Sequence, residues 1–403
     1  MSSHRLGRWR FLDPSRPEER KRQSDTDARI DAWWRALAAR RADLDALFMG
    51  EAEWDLPEFV AEHLGVIDHR IMWEFGPARA GDGHALVLTP EFDVALQPLV
   101  ERIVARAPAD IGFELHTERP AEPIDVAVLF VQEQIGIDLR AASVVVRDGA
   151  HRRFDLEFFF PGGGSKDDLE AAAYIATSKL LGEAITERWI GEVAANGGGR
   201  LKMVSKPAAP IGSVLIGDLA RTIATRIEAR RAELPSAPCA DYVRDAEWSV
   251  FELDGQDAMF AQFDMMTAIS PNDALFRATH SGDKFYDERF SRYGETFAYV
   301  KIDGREVDDA ARYNNRTVVE DDLTEMLEKH GLGTTIGGGT GAAHGYVELA
   351  LLEIDTAVEM IAKTLREGGA PRHSWIQFHR ADWSREWVGA YPDGPRPPMP
   401  DDD

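Results

Sequence analysis

The chain has 403 residues, longer than one hydrophobic core usually grows, so two domains are expected. Its 46 basic and 70 acidic residues give a formal charge of -24 at neutral pH, which argues against direct binding of a nucleic-acid backbone and fits a basic protein partner. The single cysteine, Cys239, excludes an intramolecular disulfide and a cysteine-based zinc site.

No apolar run reaches the roughly 18 residues that a membrane span needs. The N-terminus lacks the apolar core of a secretory signal, so a cytoplasmic protein is expected.

Residues 1–26 carry seven Arg or Lys against three acids through Arg22 and read as a disordered basic tail. Residues 27–197 read as an N-terminal α+β domain. Trp33, Trp34, Leu37, Leu44, Leu47 and Phe48 keep helical spacing up to a stop at Gly50, and Leu56–Leu64 forms a second short helix. Ile71–Phe75 and His84–Leu88 pair as a hairpin around Ala80–Gly83. Thr89 and Pro90 start a helix that buries Phe92, Leu96, Leu99, Val100 and Ile103 and ends at Pro108. A strand at Phe113–Thr117, a helix over Ile124–Ile137 and a hairpin of Ser143–Arg147 with Phe154–Phe160 follow. The longest helix then runs from a capping box at Ser165–Asp168 to Asn196 and Gly197.

Residues 198–240 have the composition of a linker with a connecting helix over Ile211–Glu233. Residues 241–391 read as the C-terminal α+β domain. Trp248–Leu253 and Met259–Met265 suggest a hairpin about Asp254 and Gly255, and Ser270–Gly294 reads as an exposed excursion. Next come a strand at Phe297–Ile302, a helix opened by a Thr317/Glu320 capping box and closed at Gly331, and strands at Thr334–Ile336 and Tyr346–Ile354. A helix from Asp355 to Gly368 and a strand at Trp375–Phe378 complete a β-α-β-β-α-β order, the ferredoxin-like split β-α-β arrangement. Residues 392–403, rich in Pro and Asp, read as a disordered acidic tail.

Five glycines between Gly337 and Gly345 form either a wide hairpin turn or bulge, or a ligand-contacting loop that includes His344. A strand rather than a helix follows them, so the phosphate-loop patterns fail on context. Gly162–Gly164 do precede a capped helix, but Asp167 and Asp168 already occupy its electropositive end. His63, Asp68, His69 and Glu74 lack metal-ligand spacing. Trp375, Phe378, Trp383, Trp387 and Tyr391, mixed with Arg380, read as an edge strand with its cover or as an interface. The candidate contact residues are therefore Gly337, Gly338, Gly339, Thr340, Gly341, His344, Trp375 and Trp383. No catalytic, cofactor or metal constellation is complete.

Two stretches carry a resemblance. Trp-Glu-Phe-Gly-Pro, Leu-Val-Leu-Thr-Pro and Ala-Pro-Ala-Asp-Ile-Gly-Phe-Glu, between Trp73 and Arg119, resemble the opening of a group of uncharacterised bacterial proteins. Glu-Asp-Asp-Leu, Gly-Gly-Gly-Thr-Gly and Tyr-Val-Glu-Leu, between Glu320 and Tyr391, resemble a bacterial domain of unknown function with a ferredoxin-like fold. A looser likeness is to the acidic ferredoxin-like protein inhibitors of ribonuclease E, whose longer acidic tail this chain lacks. The resemblance implies a fold and binding through an acidic surface, and no activity.

The expected function is thus that of a non-enzymatic protein-binding or regulatory protein, an immunity or inhibitor protein being the specific version. The alternative is an enzyme or small-ligand receptor with an interdomain pocket using the Gly337–Gly345 loop. An edge-to-edge homodimer is a third arrangement, because an open sheet leaves an unpaired strand.

Overall fold

A computed structural model describes residues 8–91, 93–197, 210–256, 260–306, 312–313 and 315–399. The fold is α+β, with three sheets among the described residues. Two compact units are present, and neither is continuous in sequence: one comprises Met1–Thr117, Ala237–Thr279 and Tyr293–Asp403, the other Glu118–Ser236 and His280–Arg292.

The first unit begins with α1 (Pro17–Ala39), α2 (Arg41–Phe48) and α3 (Leu56–His63). Pro17 at the first helical position and Glu18 and Glu19 in the first turn suit the positive end of α1. The helix read as continuous up to Gly50 breaks at Arg40, where no glycine or proline marks the sequence. Strands β1 (Met72–Pro77) and β2 (His84–Thr89) form the expected hairpin, and α4 (Gln97–Ala105) leads to β3 (Phe113–His116), which lies parallel to β2. Thr89 belongs to β2, so α4 starts later than the Thr-Pro pair suggested. Ile30, Trp33, Trp34 and Leu37 of α1 close a core with Leu86, Leu88, Leu99 and Ile103, and Trp34 Nε1 donates to the Ile103 carbonyl at 2.9 Å.

The second unit holds α5 (Ile124–Gln134), β4 (Ser143–Asp148), β5 (Phe154–Phe160), α6 (Lys166–Trp189), β6 (Ile190–Gly197), β7 (Val214–Leu215) and α7 (Leu219–Ala232). Its sheet runs β6-β5-β4-β7. Ser165 caps α6 as expected, its hydroxyl accepting from the Asp168 amide. The helix is shorter than its apolar spacing suggested: Gly182 adopts φ 77, and from Ile190 the chain becomes a strand parallel to β5. Ile190 and Val193, three apart, keep helical spacing, and in the strand a register shift opposite Phe154 and Leu156 brings both to the same core, which is why the change of element is silent in sequence. The connecting helix likewise contracts to Leu219–Ala232. Within Ser270–Gly294, read as an exposed excursion, residues 280–292 contribute buried Phe285, Tyr286, Arg289 and Phe290 to this unit, with the Phe285 and Phe290 rings stacked at 5.2 Å.

The chain then returns to the first unit through α8 (Cys239–Tyr242), β8 (Ser249–Glu252), β9 (Met265–Ser270), α9 (Asp273–Thr279) and β10 (Thr296–Asp303). α10 (Arg316–His330), β11 (Gly333–Gly341), β12 (His344–Leu351), α11 (Ile354–Glu367), β13 (Ser374–Phe378) and β14 (Trp387–Gly389) follow. All seven strands form one antiparallel sheet in the order β14-β13-β10-β12-β11-β9-β8. Val319, Leu323 and Leu327 of α10 and Ala357, Ile361 and Leu365 of α11 bury against Val300, Val347, Leu349 and Ile376 on one face of it. Gly331 ends α10 in the left-handed region, as read, while the true N-cap is Asn315, whose side chain accepts from the Thr317 amide. The hairpin partner of β8 is β9, beginning only at Met265; Met259 lies outside the described residues.

Neither described terminal segment is loose. Arg8 is buried, pairs with Glu19 at 2.9 Å and stacks 3.8 Å above the Trp387 ring. The Glu386 carboxylate accepts the Trp9 and Phe11 amides at 2.5 and 3.0 Å. The basic charge read as a free tail is thus partly held inside the first unit. At the other end, the Pro395 carbonyl accepts from Trp375 Nε1 at 2.8 Å, and Gly394 and Pro397 are buried. Among the described residues no helix is long and apolar enough to cross a membrane.

Candidate functional site

The face of the seven-stranded sheet opposite α10 and α11 carries the polar chemistry. In β10, Ala298, Val300 and Ile302 face the helices, which sends Tyr299, Lys301 and Asp303 to the other side by the two-residue period of a strand. The same alternation in β12 places His344, Tyr346 and Glu348 beside them. One row crosses every strand: Gly389, Trp375, Lys301, Tyr346, Gly339, Ala268 and Phe251.

The glycine run is neither turn nor loop. Gly337 to Gly341 lie inside β11, with Gly337–Thr340 paired to β12 on one side and Gly338–Gly341 to β9 on the other, and a register shift between Thr335 and Gly337 supplies the bulge. Only Ala342 and Ala343 separate β11 from β12. The missing side chains have a steric reason. A Cβ on Gly339 would fall 2.6 Å from Met265 Sδ and from the Thr267 carbonyl oxygen, and one on Gly341 would fall 2.5 Å from Asp264 Oδ2. The strip lets the segment before β9 lie directly on the sheet.

That segment delivers Asp264, the centre of a buried network. Its carboxylate accepts the amides of Ala343 and His344 at 2.9 and 3.1 Å and the Tyr346 hydroxyl, and it faces His344 Nδ1 at 3.2 Å. Burial alone would raise the Asp264 pKa, but the hydrogen bonds from His344, Tyr346 and Ala343 outweigh it and hold the carboxyl far below its ordinary range. The Tyr346 hydroxyl is correspondingly pushed up by burial and by its bond to Asp264. Lys301 is fully buried and donates to the Ala261 carbonyl at 2.8 Å; burial lowers its pKa to about 8 against the pull of Asp264 and Asp303. Further along, Glu348 sits between the Gln262 amide and His379 Nε2, the latter at 2.7 Å.

The cavity beside Glu348 and His379, walled by Phe276, Phe297 and Ile336, measures about 10 Å³, room for about one water. The side chains of Asp264 and His344 are each 1% exposed. This network braces the interior of the sheet. A second, open cleft of about 260 Å³ lies over α10 and α11, where Arg312, Lys329, Asp322, Glu325 and Glu367 mix both signs of charge. Small-molecule pockets are predominantly apolar with a few placed polar groups, and this cleft is not.

The structure brings Gly337, Gly339, Gly341, His344 and Trp375 onto one face and separates Trp383 from them. Trp383 packs edge-on against Phe11 and Phe378 at 5.5 and 5.4 Å, on the helix-covered side. Gly338 and Thr340 point to that side as well. Trp375, Trp383 and Trp387 are all buried, which removes them as exposed anchors, and the strand of Trp375–Phe378 is not an edge: β13 lies between β10 and β14, because residues 387–389 of the expected cover pair with it as a further strand. Among the described residues no group of three or more His, Cys, Asp or Glu is placed to hold a metal. Sequence reasoning overlooked Asp264, Lys301, Tyr346 and Glu348. Alternating polar residues in Tyr299–Asp303 and His344–Glu348 were the available signal, since a strand polar on one face and apolar on the other is usually read as solvated.

No family model matches the chain, and no curated protein or solved structure matches it either.

Proposed function

We propose that the chain is a non-enzymatic, acidic binding protein that recognises a basic protein, as an inhibitor or immunity protein would. Its seven-stranded sheet is a ferredoxin-like unit, with β13-β10-β12-β11 as the four-stranded heart and β14, β9 and β8 added at the edges. Such a fold hosts many functions, so the site and not the fold carries the reading.

The observation that supports it most is how the polar groups are distributed. Those on the sheet face bond to one another around room for about one water, whereas carboxylates exceed basic groups 70 to 46 over the chain and stand largely outside. A field of that sign accelerates encounter with cationic surfaces. A cytoplasmic setting and an unpaired Cys239 accord with this reading.

The test is affinity capture on the immobilised full chain with salt elution, followed by reconstitution with each purified candidate at two ionic strengths. Recovery of a basic protein whose affinity falls with salt is expected. If no purified candidate rebinds, the reading fails. A thermal-shift screen over nucleotides and phosphorylated metabolites covers the receptor alternative, since a ligand at about 100 times its dissociation constant stabilises by about 2.7 kcal/mol.

A further inference from the structure

We infer that the partner's contact is an extended basic segment that adds to the open edge of the seven-stranded sheet, pairing with β8. This deepens the proposed function and rests on it.

The two edges of the sheet are finished differently. At β14, three residues long, the Trp387 carbonyl accepts from the Arg8 guanidinium at 2.5 Å, so chain from the same unit closes that end. At β8 the sheet order stops, and no described strand lies beyond it. Leu253 donates to the Met266 carbonyl at 2.8 Å, so by the alternation of an antiparallel ladder Phe251 and Ser249 also bond inward to β9. The N–H and C=O groups of Val250 and Glu252 then point away from the sheet. Edges are normally blunted by lysine, proline or cover, and β8 has neither residue.

The side chains here identify the occupant. Trp248 is 42% and Val250 75% exposed, with Met266 of the adjoining strand at 51%, which gives an added strand apolar purchase. Asp245, Glu247, Glu252 and Asp254 are exposed, and none of them forms an ion pair with a described residue. From Asp245 to Gln256 the chain holds no Lys or Arg. A second copy would bring the same four carboxylates against themselves. Val250 and Glu252 share one face of the strand and Met266, opposite Leu253, lies on the other, so an incoming strand with its basic residues on the first face and its apolar residues on the second meets backbone groups, charge and apolar side chains in one register, which is strand addition.

The experiment uses the full chain and three ten-residue peptides: alternating valine and lysine, the same with alternate backbone amides methylated on the edge-facing side, and alternating valine and glutamate. Binding is read by fluorescence anisotropy at low and moderate salt. The basic peptide should bind and weaken with salt, methylation should cost about tenfold or more through the lost backbone bonds, and the acidic peptide should not bind. Val250→Pro removes one outward N–H, and Glu252→Lys reverses one charge without touching the backbone; each should weaken the basic peptide by about tenfold while circular dichroism stays unchanged. Equal binding by Glu252→Lys and wild type, or indifference to methylation, overturns the edge site. In that event a partner captured under the preceding test still supports acidic binding elsewhere, so the two failures are distinguishable. A dimer by light scattering that Glu252→Lys strengthens would overturn it in favour of a second copy.

Discussion

Gly341 and Asp264 leave no room for a side chain between them: a Cβ on the glycine would fall 2.5 Å from the carboxylate Oδ2 and 2.7 Å from the Asp264 carbonyl oxygen. The glycines of β11 are thus explained by what lies on the strand. Gly341→Ala should cost about 1–3 kcal/mol, as overpacking of a closed site does. Gly76→Ala in β1, where nothing lies within 4 Å, should stay within about 0.5 kcal/mol of wild type. Urea midpoints measure both, and equal midpoints would show that the Asp264 segment does not close on the strip.

Lys301 gives a pH signature. Its amine in the folded state is lowered by burial to about 8 from 10.5. Below pH 8 both states carry the proton and the burial cost is present in full. Between about 8 and 10.5 the folded state loses its proton first, so the unfolded state binds more protons and stability rises with pH. Cys239 opposes this from about pH 9 upward, because burial and then Glu295 raise its thiol to about 12 and its contribution declines as the unfolded thiol ionises. The gain is therefore clearest from pH 8 to 9, at about 1 kcal/mol, and Lys301→Met should flatten it. An unchanged slope in the variant would place the titration elsewhere.

The N-terminal anchor is testable through Glu386. Its carboxylate accepts two backbone amides, those of Trp9 and Phe11, in a buried setting. Glu386→Ala leaves those donors without partners and should cost about 2–4 kcal/mol. Trypsin should also cut after Arg8 and Arg10 faster than in wild type. Proteolysis rates that do not change would mean the segment is held by Arg8 and its Trp387 stacking instead.

The second unit offers Gly182, which interrupts α6 at φ 77 and whose added Cβ would fall 2.7 Å from the Ala121 backbone nitrogen. Gly182→Ala combines a left-handed conformation with a clash against backbone that cannot swing away. A loss of about 2–4 kcal/mol is expected, read as a lowered unfolding midpoint.

What was legible in sequence follows from how local each determinant is. Gly331 stops α10 by its own φ of 66, and Val319, Leu323 and Leu327 announce their face by spacing alone. The order of strands and helices from Thr296 to Phe378 was readable for that reason. The network around Asp264 was not, because Asp264 and His344 are 80 positions apart and meet only when β9 pairs with β11. Nor was β6, whose strand form depends on β5 lying beside it. The burial of Phe285 and Phe290 likewise depends on a unit formed mostly by residues far earlier in the chain.

Cys239 provides a reporter for the first unit. Its amide donates to Glu295 Oε1 at 2.7 Å, its sulfur lies 3.2 Å from the Tyr242 hydroxyl, and the residue is buried. Burial is the main cause that raises the thiol to about 12 from 9, so at pH 8 the folded protein holds about one thiolate in ten thousand, against about one in ten for the unfolded cysteine. Iodoacetamide should therefore label the native chain at least about a thousandfold more slowly than the urea-unfolded chain. Because the thiolate is the reacting species, residual labelling should track opening of the structure and rise with urea well before the global transition if α8 opens locally. Fast labelling at zero denaturant would show that α8 does not shelter the sulfur.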